Sequence, residues 1–271
     1  MNSLEKRMVG ILEDLKENHH VIGVKAEFEA EGTRIEEALR LKEVVSKAGL
    51  NLTIKIGGCE ALKDMYEARV IGVSRIVAPM IESSFALKKF LTASNLAFSS
   101  DEREEIDFLI NIETITAFQN LDDILNSASI NGLDGIVLGR GDMSESLGMT
   151  RDDINKPKIF DITRDVLTKA KDKTLICGIG GGVSAESLPF FRDLPSGSLD
   201  FYETRKIIFK CPESMNENAH KGILKAVGFE LMWLKNKADY YGLIYNEDRE
   251  RIKTLETRYE ASILSVGGLI K

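Results

Sequence analysis

Two acidic residues in the middle of the chain offer the most specific chemistry. Glu113 closes an apolar, β-branched run, Asp107–Glu113, that gives way to helix-forming residues at Thr114–Asn120. Asp142 follows a second such run, Gly135–Gly139, within Arg140-Gly141-Asp142-Met143-Ser144. Two carboxylates at the C-terminal ends of neighbouring strands, with no histidine or cysteine beside them, suit a hard cation. Mg²⁺ or Mn²⁺ fits such oxygen donors better than zinc does. The same spacing also allows a plainer arrangement, in which Asp142 N-caps a short helix at Met143–Leu147 and Glu113 caps the helix after it.

A third feature is the run Cys-Gly-Ile-Gly-Gly-Gly-Val-Ser-Ala-Glu-Ser at 177–187, between a strand and a helix. Gly180, Gly181 and Gly182 would let backbone approach a ligand closely, with Ser184 as the helix N-cap, an arrangement that can hold phosphate. A tight turn accounts for the glycines equally well. Downstream, Tyr-Glu-Thr-Arg-Lys carries Glu203 and Arg205, which could pair with each other or meet a phosphate or second carboxylate.

The elements that must position these residues alternate in period. Short apolar runs at Val21–Phe28, Leu52–Ile56, Ser74–Ala78, Asp107–Glu113, Gly135–Gly139, Thr174–Ile179 and Leu199–Phe209 read as seven strands. Between them, Ile35–Ala48, Glu60–Val70, Ser84–Phe90, Ala117–Leu125 and Phe160–Ala170 repeat apolar residues at helical spacing. Strands alternating with helices predict a parallel sheet covered by helices, as a barrel or an open doubly wound sheet. Seven strands is one short of a closed (β/α)8 barrel. After Pro212 the strand signal stops. The chain reads as a barrel domain with an N-terminal helix over 1–212 and a helical extension over 213–271. Two long helices are expected there, either closing the barrel's own base or packing on a neighbouring subunit.

Composition sets outer limits. The 271 residues are 43% hydrophobic and 29% charged, with a net charge of −7, a globular balance that argues against nucleic acid or an anionic membrane as partner. Charges interrupt the N-terminal segment, so it reads as no signal peptide, and no run is long and apolar enough for a membrane span. Three cysteines without Cys-x-x-Cys spacing predict neither a thiolate metal cluster nor a disulfide framework. A cytoplasmic setting is expected.

The segment Ile-Asn-Ile-Glu-Thr-Ile-Thr-Ala-Phe-Gln-Asn-Leu-Asp-Asp-Ile, continuing to Asp-Gly-Ile-Val-Leu-Gly-Arg-Gly-Asp-Met-Ser-Glu-Ser-Leu-Gly, resembles the metal-binding half of the HpcH/HpaI aldolases. That family includes the citrate lyase β chain. Ala117, Asn120, Leu121, Asp122, Ile124, Asp134, Gly135, Asp142, Ser144, Ser146, Leu147 and Gly148 carry the likeness, with Pro79, Met80, Glu82 and Ser83 upstream. It spans roughly residues 51–150. The resemblance implies a TIM (β/α)8-type barrel with extra C-terminal helices, in which Glu113 and Asp142 hold the metal. A 2-oxo acid would chelate it, with its carboxylate received by the amides of Gly141 and Asp142. It also implies a homo-oligomer.

Two departures from the family pattern matter. Lys55 stands where the family places an arginine, keeping the charge without the bidentate fork. It could anchor the substrate, form a Schiff base, or make no substrate contact. Phe28 stands where the aldolases carry an acid/base histidine, which the citrate lyase branch also lacks. Proton transfer would then fall to Glu27, Glu29, Lys25 or water. The expected function is a metal-dependent carbon–carbon lyase, aldolase or condensing enzyme acting on pyruvate, oxaloacetate or a related 2-oxo acid, with a phosphorylated or sugar-like co-substrate. A non-catalytic metal and oxo-acid binder, or an acyl-CoA thioesterase, are the alternatives.

Overall fold

A computed structural model describes residues 1–265. Eight strands close into a barrel: β1 Val21–Glu27, β2 Asn51–Lys55, β3 Arg75–Ala78, β4 Asp107–Ile112, β5 Gly135–Gly139, β6 Ile176–Gly180, β7 Phe201–Glu203 and β8 Ile207–Lys210. Neighbours from β1 to β7 pair in parallel, and helices such as Ile35–Lys47, Ser84–Ala97 and Pro157–Lys171 lie between them in the chain. The barrel, rather than the open sheet, is the architecture.

The strand missing from the sequence reading is β8. The run Leu199–Phe209 is not one strand but a hairpin, broken at Thr204-Arg205-Lys206. A parallel return needs a crossover of about a dozen residues or more. Three residues permit only a reversal, so β8 runs antiparallel to both β7 and β1. On its outer side, Tyr202 stacks between Phe191 and Phe209, with ring centroids 5.1 and 4.9 Å apart.

Alternation along the strands decides what fills the interior. Val77, Leu109, Val137, Phe201 and Ile208 form one buried apolar layer. Gly178 makes room for Phe201: a Cβ there would stand 2.2 Å from the ring. Two residues beyond Leu109 and Phe201 the inward rows become polar, at Asn111 and Glu203, and Lys55 closes β2 on the same wall. The apolar layer is thus a floor, and the polar layer lies toward the C-terminal ends of the parallel strands.

Past the barrel, the two helices expected in the C-terminal region are a single helix, Ala219–Ser265. The charged stretch taken as a break, Asn-Glu-Asp-Arg-Glu-Arg, is rich in good helix formers, and charge alone does not stop a helix. The final residues 266–271 lie outside the described ones. Two compact units divide the chain, Met1–Glu230 and the remainder from Leu231, so residues 213–230 belong to the barrel unit. Among the described residues no helix is long and apolar enough to cross a membrane.

Candidate active site

A cavity of about 710 Å³ opens on the polar layer. Glu113 and Asp142 both line it, as do Lys25, Glu27, Glu29, Lys55, Asn111, Gly139, Gly141, Gly180–Gly182, Glu203 and Arg205. Of the site residues expected from sequence, only Ser184 is outside its wall. Ser184 precedes a single turn of 3-10 helix, Ala185–Ser187, and its amide donates to Ser187 Oγ at 3.3 Å.

Glu113 does not cap a helix. Thr114 caps Ile115–Gln119, its hydroxyl accepting from the Ala117 amide at 3.1 Å. The Glu113 carboxylate instead turns into the barrel and is 1% exposed. Its Oε1 accepts from the Met80 amide at 3.0 Å, and its Oε2 from Asn111 Nδ2 at 2.7 Å. Gly139 is needed for this placement, since a Cβ there would lie 2.8 Å from Glu113 Oε2. Burial pushes the Glu113 carboxyl above its ordinary range, against the opposing pull of Lys55. Asp142 is no cap either. It sits in the first turn of Arg140–Ser146, whose cap is Gly139.

Lys55 bridges two acids, 2.9 Å from Glu29 Oε2 and 3.4 Å from Glu113 Oε2. Burial by itself would lower its ammonium, but Glu113 and Glu29 outweigh that and raise it. Lys25 lies between Glu203 at 2.5 Å and Glu27 at 3.1 Å, and is likewise raised despite burial. Burial would raise Glu27, yet Lys25 and Lys55 hold it below its usual value. Glu203 and Arg205 do not pair with each other. Arg205 stands in the hairpin turn and reaches Glu31 at 3.1 Å and, more distantly, Glu27 at 3.9 Å. Lys206 also pairs with Glu31.

The glycine run is shaped by packing. Gly181 and Gly182 have φ of 81° and 62°, in the left-handed region open to glycine. A Cβ on Gly181 would stand 2.5 Å from the Gly141 nitrogen, so the loop backbone packs directly on the start of Arg140–Ser146. Arg140 clamps the two together from beneath. Its buried guanidinium donates to Gly181 O at 3.0 Å, Ser187 Oγ at 3.2 Å and Asn155 Oδ1 at 2.7 Å, between the rings of Phe190 and Phe191. Burial lowers it to about 9, so it remains charged at neutral pH.

Sequence reasoning overlooked Asn111, although its spacing of two from Glu113 on one strand marks a shared face. Its Oδ1 is buried without a hydrogen-bond partner. Glu31 and Lys206 were overlooked as well, because their ion pair joins elements distant in the chain. The donors near Glu113 are all oxygens, and among the described residues no three His, Cys, Asp or Glu side chains converge as a metal cluster. Two carboxylates with a free amide oxygen suit Mg²⁺ or Mn²⁺, which complete their shells with water and substrate. Phe28, at the position of the aldolase histidine, does not line the cavity.

The HpcH/HpaI aldolase/citrate lyase profile matches residues 28–179. No curated protein matches the chain by sequence. Among solved structures, an HpcH/HpaI aldolase from Desulfitobacterium hafniense DCB-2 superposes with a TM-score of 0.59 at 15% identity, covering 75% of this chain and 82% of that one. Citrate synthase SbnG gives 0.60 at 15% identity, over 86% and 90%. A family protein from Burkholderia cenocepacia J2315 gives 0.55 at 15% identity, over 71% and 89%. These likenesses speak for the fold, and the profile spans more than half of the chain. The chain belongs to the HpcH/HpaI aldolase/citrate lyase family and is an enzyme of that general, lyase-like type.

Proposed function

We propose that this protein is a divalent-metal-dependent carbon–carbon lyase or condensing enzyme acting on pyruvate, oxaloacetate or a related 2-oxo acid. The observation that carries this reading is the meeting of Glu113, Asp142 and Lys55 on one cavity wall. Members of the family commonly depend on a divalent metal. Glu113 and Asp142 would hold Mg²⁺ or Mn²⁺, with the Asn111 amide oxygen as a further donor. The ion supplies Lewis-acid stabilisation of charge that develops on the keto oxygen.

The chain's own groups divide the remaining work. Lys55, charged and two acids deep, attracts the oxo-acid carboxylate. Its raised ammonium is a poor nucleophile, which favours the anchor over the Schiff base. Glu27, held ionised among three cations, is a weak base and serves the electrostatics of the wall. Glu29 is assigned as the proton carrier because it is the more accessible of the two. Its side chain lines the cavity, is 27% exposed and forms an ion pair with Lys55. In the synthetic direction Glu29, directly or through one water, takes a proton from the carbon next to the keto group. The electron pair left behind attacks the acceptor carbonyl, whose oxygen then takes up a proton. Cleavage is the reverse.

A second copy of the chain is proposed to cover the terminal helix. Leu231, Leu234, Tyr245, Ile252, Leu255 and Tyr259 are exposed there and recur at intervals of three and four and their sums, with Ala238, Tyr241 and Asp248 between. Arg251 and Glu256 flank this seam five residues apart. In a parallel pair of helices they face each other with opposite charge.

The deciding experiment follows pyruvate methyl protons by NMR in D₂O with Mn²⁺ or Mg²⁺. Exchange that stops with chelator and in Asp142→Ala supports the reading. Oxo-acid binding without exchange leaves a binding protein, and release of thiol from an acyl-CoA without exchange leaves a thioesterase.

A further inference from the structure

Glu29, to which proton transfer is assigned, does not stand on a strand. It follows β1 in a loop, and a group that must meet one carbon of the substrate needs that loop held in place. Resting on the reading above, in which Glu29 carries the proton, we propose that Glu31 is its positioning residue. Through Lys206 it latches the loop after β1 to the turn between β7 and β8.

The latch is built from both sides. Within the loop, Glu31 Oε2 accepts from the Glu27 amide and the Thr33 hydroxyl, each at 3.3 Å. The Gly32 amide donates to Glu29 O and the Thr33 amide to Glu27 O, both at 3.2 Å, so Glu29 and Glu31 share one closed turn. On the other side, the same Oε2 pairs with Lys206 Nζ, and Oε1 accepts from Arg205 Nε at 3.1 Å. Lys206 stands on firm backbone. Its carbonyl accepts from the Lys25 amide at 2.7 Å, and the Thr204 amide donates to Ile207 O at 2.9 Å.

Burial decides which of these contacts counts. The side chains of Glu31 and Lys206 are 12% and 3% exposed. Arg205 is 48% exposed, so its pairing is screened by solvent and adds little. Burial pushes the Lys206 ammonium below its ordinary range, against the opposing pull of Glu31. Removing Glu31 therefore strands a buried cation and frees the loop together. The antiparallel β8 makes the arrangement possible: a parallel strand would need a crossover here, whereas the short turn sets Lys206 beside the loop after β1. Glu29 is then held at two levels. Lys55 holds its carboxylate at 2.9 Å, and its backbone lies between the Phe28 amide, bonded to Lys55 O at 2.8 Å, and Glu31. Glu31 does not itself line the cavity, so its effect passes through the loop.

The test follows pyruvate methyl-proton exchange in D₂O with Mn²⁺. Glu29→Gln should slow exchange about a hundredfold or more, the usual contribution of a general base. Glu31→Ala should slow it about tenfold or more while leaving the KM for pyruvate and the Mn²⁺ affinity unchanged. Glu31→Gln, which keeps an acceptor oxygen, should lose less. Glu29→Gln combined with Glu31→Ala should be no slower than Glu29→Gln alone, because a residue acting through Glu29 then has nothing to position. Without substrate, deuterium uptake by residues 28–33, read by mass spectrometry, should rise in both Glu31→Ala and Lys206→Met. Wild-type exchange in Glu31→Ala, full additivity in the double variant, or unchanged uptake in both latch variants overturns the latch and leaves Glu29 standing. If Glu29→Gln exchanges like the wild type, the proton-carrier assignment falls and the latch with it. If the wild type itself shows no exchange, the oxo-acid reading falls and takes both.

Discussion

Lys55 places its ammonium nitrogen 3.4 Å from Oε2 of Glu113, the same oxygen that accepts from Asn111 at 2.7 Å. The lysine therefore neutralises part of a buried charge that would otherwise be costly. A cation held by Glu113 would compete with Lys55 for that carboxylate, and Lys55 would keep its pairing with Glu29.

Removing either acid should therefore remove the metal. Asp142→Ala and Glu113→Gln are each expected to weaken Mn²⁺ binding, read by electron paramagnetic resonance, by about a hundredfold or more. Circular dichroism should show the fold retained. Wild-type affinity in both variants would refute the assignment.

At Lys55 the charge and the nucleophile can be told apart. Lys55→Arg should keep measurable oxo-acid binding, and Lys55→Met should lose it by calorimetry. Borohydride added with pyruvate should leave the lysine unlabelled in the mass spectrum. A covalent pyruvyl adduct would replace the anchor by a Schiff base.

Gly181→Ala should disable the site through the backbone of its wall. Its left-handed φ costs a non-glycine residue about 1–3 kcal/mol, and the new Cβ meets the Gly141 nitrogen. Gly197→Ala has a similar φ of 77° but nothing within 4 Å of its Cβ. Both should lower the melting temperature, while Gly181→Ala alone weakens oxo-acid binding.

The barrel's other end supplies a pH dependence. His19 is buried at the N-terminal side of β1, and its Nε2 lies 3.0 Å from Lys225 Nζ. Burial, and then the Lys225 charge, lower its pKa from 6.5. The unfolded chain thus binds a proton that the folded one resists. The neutral histidine's contribution is fully present above pH 6.5 and is lost as the pH falls from there through the lowered folded value. Melting temperatures between pH 7.5 and 5.5 should fall less steeply in His19→Gln than in the wild type. Equal slopes would remove His19 from the account.

The terminal helix predicts self-association. Multi-angle light scattering should find an oligomer for the wild type and a smaller species for Leu255→Glu with Ile252→Glu. An unchanged mass would exclude this seam as the contact.

Seven strand runs, their order and the two acids at strand ends were legible in the residues, because apolar alternation and strand-to-helix changes are local patterns. Strand β8 was not. Its hairpin depends on a three-residue turn inside one continuous apolar run, and nothing local distinguishes that from a single longer strand. The terminal helix was misread for the opposite reason, since a dense run of charges looks like a loop when the helix has no covered face to mark it.

What the sequence determined by itself, then, is which residues alternate inward, and so which side chains could share a wall: Lys55, Asn111, Glu113 and Glu203 follow from period two on three separate strands. Which of them pair was decided only by closure of the barrel. Glu203 meets Lys25 across the interior rather than Arg205 two residues away, because ring closure sets β1 and β7 on either side of β8 while the turn carries Arg205 toward Glu31. Ion pairs depend on distance through space, and the chain shows only distance along itself.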